Sequence, residues 1–421
     1  MYGPRVFYVV GGQGAFGEYK FDPLGFAEKS PESVPYYREA ELKHGRMAML
    51  ATVGFITTDF VRIPGDAYQG DDPDGYMSAK EVADFLATYA ARSSERVRTR
   101  TTVTRVALEG EGYRVATDRG DWLCRSVVLA TGAFSRAIVP RIAGSVPDVV
   151  EQVTAQAYRN PQQLQGGGVL VVGGSATGLQ LADEIHRSGR QVTLAVGEHV
   201  RLPRIYRGRD IQWWMLASGV LDHRIEDEVD PDRARRVPSP QLVGTTEHAT
   251  LDLNALRQLG VEIVGRLVGV RDHQAQFSGS LRNVCSLADL KMHRLLDAID
   301  EWAERTGVTD CAPPERFEAT DVGPSPRLGL TFGRDVRTVI WATGFRPDYS
   351  WLDVPVFDRK GELMHDRGVV ASPGLYALGL PYLRRRKSSF LHGAEDDVRE
   401  LAAHLERCLA HKQLIRREAA K

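Results

Sequence analysis

The chain has 421 residues, with 54 lysines and arginines against 55 acids and a net charge of −1. That length holds two or three domains with cores of their own, and the even charge balance argues against nucleic acid as a partner. Its four cysteines, Cys124, Cys285, Cys311 and Cys408, stand far apart without CxxC or metal-ligand spacing. This excludes a disulfide framework and fits a reducing, cytoplasmic setting.

The chain opens with VFYVVGGQGAFG, where Gly12, Gly14 and Gly17 follow an apolar run at the spacing of a phosphate-binding turn. The continuation, EYKFDPLGFAEKSPE, contains Pro23, Gly25 and Pro31. These residues forbid the helix whose N–H groups would meet a phosphate, so a glycine-rich loop is the better-supported reading. Next comes YYREAELKHGRMAMLATVGF, for which one helix is expected over about residues 34–60. Glu41 and His44 stand at i, i+3 and share a face of that helix. They suit two ligands, although such a pair is more often a solvated one. The apolar stretch from Met47 to Val61 contains Asp59 and is too short to cross ~30 Å of hydrocarbon as a lone segment.

From about Gly65 the pattern becomes α/β. VVLATGAFSRAIVP, from Val127 to Pro140, is an apolar strand ending in Ala-Thr-Gly, with Thr131 and Gly132 at its tip. Farther on, VLVVGGSATGLQLADEIHRSGRQVTLAV spells strand, glycine turn, amphipathic helix and second strand. Gly173 allows the tight turn, and Gly178 lets helix and strand pack closely. Gly174, Ser175 and Thr177 complete the loop, whose helix N-terminus offers N–H groups to a pyrophosphate. Ser175 replaces the usual middle glycine. After the second strand, Glu198 could hold a ribose 2′-hydroxyl. Arg201, Arg204 and Arg207, recurring every three residues, suit a 2′-phosphate and favour NADPH. A second Ala-Thr-Gly strand, VIWATGFRPDY, ends at Thr343 and Gly344. Small residues at both tips let the chain pass beside a dinucleotide or cross between domains. The dense basic run Arg384-Arg385-Arg386-Lys387 reads as a solvated loop or a neighbour of ligand phosphate.

Residues from about Gly65 to Leu405 resemble the flavin-containing monooxygenase-like oxidoreductases. The resemblance is carried by GDDPDGYMSAKEVADFLATYA, by GGSATG, by the paired Ala-Thr-Gly strands and by the closing GLYALGLPYLRRRKSSFLHGAEDDVRELAAHL. It implies an FAD-type domain from both chain ends, about 65–149 and 321–421, with an NADPH-type domain inserted over about 150–320. Thr131, Gly132, Thr343, Gly344, His392 and Gly393 then supply walls of the flavin pocket. It also implies FAD, NADPH, O₂ and a small organic substrate, with the protein positioning and shielding the cofactors. The monooxygenase signature has a histidine four residues before an aromatic; here Thr154 precedes Tyr158. Hydride transfer is therefore better supported than oxygen insertion.

Residues 1–64 depart from that family. FDPLGFAEKSPESVPYYREAELKHGRMAMLATVGF resembles the first membrane helix of light-harvesting chlorophyll-binding proteins, especially the chlorophyll a/c kind. The expected architecture is thus two Rossmann-like units in which the first FAD-binding βαβ segment gives way to an N-terminal helical segment, weakening FAD binding. Under a pigment-binding alternative, with a plastid location, Glu41 and His44 would ligate chlorophyll magnesium. The companion helix that pairs those charges is not seen later in the sequence. A third alternative is an inactive fusion that retains its NADPH-binding unit.

Overall fold

The computed structural model describes residues 77, 79–91, 97–245 and 247–419. The expectations for Gly12, Gly14, Gly17, Glu41 and His44, and for a helix over about residues 34–60, lie outside these residues. Helix α1 (Ala79–Ala91) leads to an antiparallel meander of β1 (Val103–Glu109), β2 (Gly112–Thr117) and β3 (Trp122–Cys124), followed by β4 (Val127–Leu129) and β5 (Arg136–Ala137). Strands β6 (Glu151–Thr154) and β7 (Val169–Val172), helix α2 (Ala176–Arg187) and strand β8 (Val192–Val196) come next. Helix α3 (Leu253–Leu259), β9 (Glu262–Gly265), β10 (Leu267–Arg271), β11 (Gln274–Phe277), helix α4 (Leu281–Thr306) and β12 (Gly329–Thr331) follow. The last elements are β13 (Thr338–Trp341), β14 (Phe345–Arg346), β15 (Leu352–Asp353), β16 (His365–Asp366), β17 (Val369–Val370), β18 (Leu375–Ala377) and helix α5 (Leu391–Ala419).

The organising sheet has five strands in the order β9-β8-β7-β13-β6, every pair parallel. Its centre, VLVV in β7, is buried on both faces, as a continuous apolar run in a parallel sheet requires. One face packs against α2 and α3 through Leu179, Ala182, Ile185 and Leu256. Leu179, Leu181, Ala182 and Ile185 are all buried, so the 3.6-residue periodicity read from the sequence marks the inner side of the helix. The other face is covered by the antiparallel β10-β11-β12 sheet, with Phe277, Leu330 and Phe332 against Leu170, Val264 and Trp341. Each such Val, Leu or Phe contributes about 1.5–3 kcal/mol. This sheet draws in β13, so the unit built around the glycine turn extends to Trp341.

Two smaller sheets come from the flanking segments. Strands β15, β1, β2 and β3 form one, and β16, β17, β18 and β4 the other, in which β4 and β18 run parallel. Their shared core is Val106, Tyr113, Leu129, Trp351, Val356 and Leu375. Strands from before the inserted unit thus pair with strands from after it: Val106 with Leu352, and Val127 with Leu375. Among the described residues no helix is long and apolar enough to cross a membrane, and no cluster of His, Cys, Asp or Glu could hold a metal ion.

Candidate functional site

The glycine turn is built so tightly that its residues leave no room for side chains. Gly173 has φ +124°, and a Cβ there would stand 2.2 Å from the carbonyl oxygen of Ala342. A Cβ on Gly178 would lie 1.8 Å from the carbonyl oxygen of Gly173, and one on Gly174 2.9 Å from Val196 Cγ1. Strand β7, helix α2 and the second Ala-Thr-Gly segment therefore meet at backbone-to-backbone distance. Ser175 is the N-cap of α2, yet its side chain makes no capping bond. The first-turn N–H groups of this 12-residue helix, Thr177 among them, are left for an anion. Ser175 has φ −89°, so the position tolerates a side chain.

A residue with no warning in its local sequence supports this turn. Gln241 is buried, donates from Nε2 to the Gly174 carbonyl at 2.6 Å, and is itself anchored by its N–H to Val200 O at 2.8 Å. Its Oε1 is enclosed without a partner. Gln241 thus ties down the carbonyl of Gly174.

The paired Ala-Thr-Gly segments lie between strands of the smaller sheets and strands of the five-stranded sheet, and they run side by side. Residues beyond Gly132 form β5, which pairs antiparallel with β14 just beyond Gly344, Ala137 opposite Phe345. Ile138 N–H donates to Gly344 O at 2.9 Å, and the Thr343 hydroxyl donates to Ile138 O. Gly132 and Gly344 have φ +67° and +94°, which explains the glycine at each tip. Thr343 and Gly344 thus join Gly173 on one side and the strand following Thr131 and Gly132 on the other. Thr154, at the end of β6, accepts from Tyr158 N–H at 2.9 Å, and Tyr158 is buried in the core.

His392 and Gly393 lie in the first turn of α5, packed on the loop before it. A Cβ on Gly393 would meet Lys387 O at 1.9 Å, and the His392 ring lies against Phe390 with centroids 5.7 Å apart. Both ring nitrogens of His392 are buried without a partner, and burial holds its pKa down at about 4.

The three arginines do not face a common anion. Arg201 is buried, donating from Nε and Nη2 to Asp252 at 3.0 and 2.8 Å and from Nη1 to Asp289 at 2.8 Å. Arg204 grips Asp210 with two bonds of 2.7 and 2.6 Å. Arg207 donates to Asp300 and to Ala312 O, each at 3.0 Å. Their guanidinium donors are spent on carboxylates and carbonyls of the same unit, which is why regular spacing did not become a cationic patch. In the run at 384–387, Arg384, Arg385 and Lys387 turn inward, while Arg386 is exposed and pairs with Glu228 at 2.7 Å. Arg384 and Arg385 pair with Glu400, Arg385 also with Asp397, and Lys387 with Asp222 and Asp396. Glu198 remains exposed and meets Lys291 of α4 at 3.1 Å.

Three comparisons place this geometry among known proteins. Residues 57–207 match a family model described as pyridine nucleotide-disulphide oxidoreductase. A CzcO-like oxidoreductase of Geobacillus kaustophilus is 32% identical over 345 residues, 81% of this chain and 82% of that protein. A flavin monooxygenase of Stenotrophomonas maltophilia shares the fold at a TM-score of 0.50, with 20% identity, covering 81% of this chain and 82% of that one. Separately, the fucoxanthin-chlorophyll a-c binding protein of Chattonella marina is 46% identical over 50 residues, 12% of this chain and 23% of that protein.

Proposed function

The chain belongs to the flavin-monooxygenase-like oxidoreductase family of its CzcO-like relatives, and from that premise we propose that it is a nicotinamide-dependent flavoprotein. In this reading FAD, when bound, accepts hydride from a reduced nicotinamide dinucleotide such as NADPH and passes electrons on to O₂ or a small organic substrate. The observation that carries the reading is the glycine turn, where Gly173, Gly174 and Gly178 each lack room for a Cβ while the N-terminus of α2 lacks a side-chain cap. Such a turn fits a pyrophosphate.

Each residue has a task in this scheme. The N–H groups from Ser175 to Gly178 hold the pyrophosphate, and Gln241 fixes the carbonyl of Gly174 so that the turn keeps its shape. Gly132 and Gly344, at the tips of the paired segments, let the chain pass close to both dinucleotides and keep the units in register. His392 and Gly393, at the start of α5, would supply a wall of the flavin pocket. Thr154 supplies no imidazole where the monooxygenase signature has one, so this reading puts hydride transfer first. FAD is held less tightly than in a relative with a full strand-turn-helix opening. The sequence VFYVVGGQGAFG continues into Pro23, Gly25 and Pro31 rather than into a helix-forming run. A helix dipole contributes about 1 kcal/mol to an anion, and each backbone N–H bond a further ~1 kcal/mol. We place the protein in the cytoplasm.

The test is anaerobic reduction. Full-length protein loaded with FAD should lose the visible flavin band on addition of NADPH and regain it on admission of air. A flavin band that NADPH and NADH both leave unchanged would exclude the proposed reaction.

A further inference from the structure

The adenosine ribose of a dinucleotide lies where the second strand of such a unit ends. An acidic side chain there accepts the 2′-hydroxyl, and cations there pair with a 2′-phosphate. In this chain β8 ends at Val196, and Glu198 follows two residues later. From Val192 to Arg204, Glu198 is the sole exposed residue. Its side chain is 65% exposed, and its partner Lys291 is 48% exposed. The neighbouring His199 turns inward, its Nδ1 3.0 Å from Gly197 O. Arg266, exposed after β9, runs beside the same point, since a Cβ on Gly197 would stand 3.7 Å from its Cδ.

The other candidate cations are committed elsewhere. Arg207 is committed to Asp300, which it shares with Arg316, and to Ala312 O. Using Arg201 or Arg204 for a 2′-phosphate would strip Asp252 and Asp289, or Asp210, of a guanidinium partner. Each of these pairs is largely shielded from water, and stripping one leaves a carboxylate uncompensated in the interior. A surface phosphate contact does not offset that cost.

Resting on the dinucleotide reading above, we infer that Glu198, and not the arginine triplet, sets the choice of nucleotide. Glu198 accepts a ribose hydroxyl, while Lys291 and Arg266 admit a 2′-phosphate against its charge. The native chain therefore accepts NADPH without preferring it and binds NADH at least as tightly.

The experiment is an equilibrium titration of the full-length chain with NADH and with NADPH, read by isothermal calorimetry. Glu198→Gln and the double variant Lys291→Ala/Arg266→Ala are titrated alongside; all three positions are exposed enough that folding should be unaffected. The native protein should give a Kd for NADH no greater than that for NADPH. Glu198→Gln should shift the ratio toward NADPH by about tenfold, because it removes a like charge and frees Lys291. The double variant should weaken NADPH by about tenfold and leave NADH almost unchanged. A native preference for NADPH of tenfold or more, or a ratio that Glu198→Gln leaves unmoved, would overturn the inference while leaving dinucleotide binding intact. If neither nucleotide binds, the reading of the glycine turn falls, and the inference falls with it.

Discussion

Arg201→Met separates a structural arginine from a ligand-binding one. The Arg201 side chain is 6% exposed, and its partners Asp252 and Asp289 are 8% and 10% exposed. Methionine fills similar volume but leaves two carboxylates facing each other in the interior. Asp252 keeps its bond from Ala255 N–H at 2.9 Å, and Asp289 keeps two from Thr320 at 2.8 Å, so both stay partly satisfied. Removing one member of a buried pair costs about 3–5 kcal/mol, and the retained bonds place this case toward the lower end. Equilibrium unfolding in urea, followed by tryptophan fluorescence, measures the loss. Arg201→Lys keeps the charge without the fork and should recover part of it. Nucleotide titrations on the same variants complete the test. A loss below about 1 kcal/mol together with a tenfold drop in affinity for NADPH but not NADH would show that Arg201 faces the nucleotide.

Three further outcomes follow from the same geometry. Gly178→Ala, with its Cβ 1.8 Å from Gly173 O, should abolish dinucleotide binding and destabilise the unit, whereas Ala182→Ser, one turn farther along α2, should leave the nucleotide Kd unchanged in calorimetry. His392 is held at about 4 against an ordinary 6.5, so the unfolded chain binds more protons between these values. Stability should therefore fall as pH drops from 6.5 toward 4, by up to about 3 kcal/mol from this residue. His365 is depressed to a similar value and burial lowers His199 too, so His392→Gln should reduce the slope between pH 6.5 and 5 in thermal unfolding without abolishing it. Replacing residues up to about Pro64 by a full strand-GxGxxG-helix-strand segment should lower the Kd for FAD by at least tenfold in fluorescence titration, and an unchanged Kd would remove the reason to expect weak binding.

The sequence made the local parts legible and left their partners hidden. VLVVGGSATG announced its strand, turn and helix because each step rests on neighbours in the chain: apolar run, glycines, then 3.6-residue periodicity. The Ala-Thr-Gly repeats were recognisable as strand ends. That they pair with each other, through Ala137 and Phe345, depends on strands more than two hundred residues apart. The arginines after β8 misled because their partners Asp252, Asp289 and Asp300 lie far along the chain; only Asp210, six residues from Arg204, stood close enough to warn. The run at 384–387 likewise found its acids in the second and third turns of α5 and across at Asp222 and Glu228. Gln241 carried no local signal at all, since nothing in VPSPQL distinguishes a glutamine that will brace a glycine turn.

The visible spectrum of the purified full-length chain, recorded before and after saturation with FAD and gel filtration, tests the central claim most directly. A flavoprotein of this kind should carry part of its FAD through the column, shed the rest because binding is weakened, and lose its flavin bands when reduced nicotinamide is added without oxygen. Chlorophyll bands in their place would assign the chain to pigment binding, and a colourless protein after saturation would mark a fold that has kept its nucleotide turn and lost its flavin.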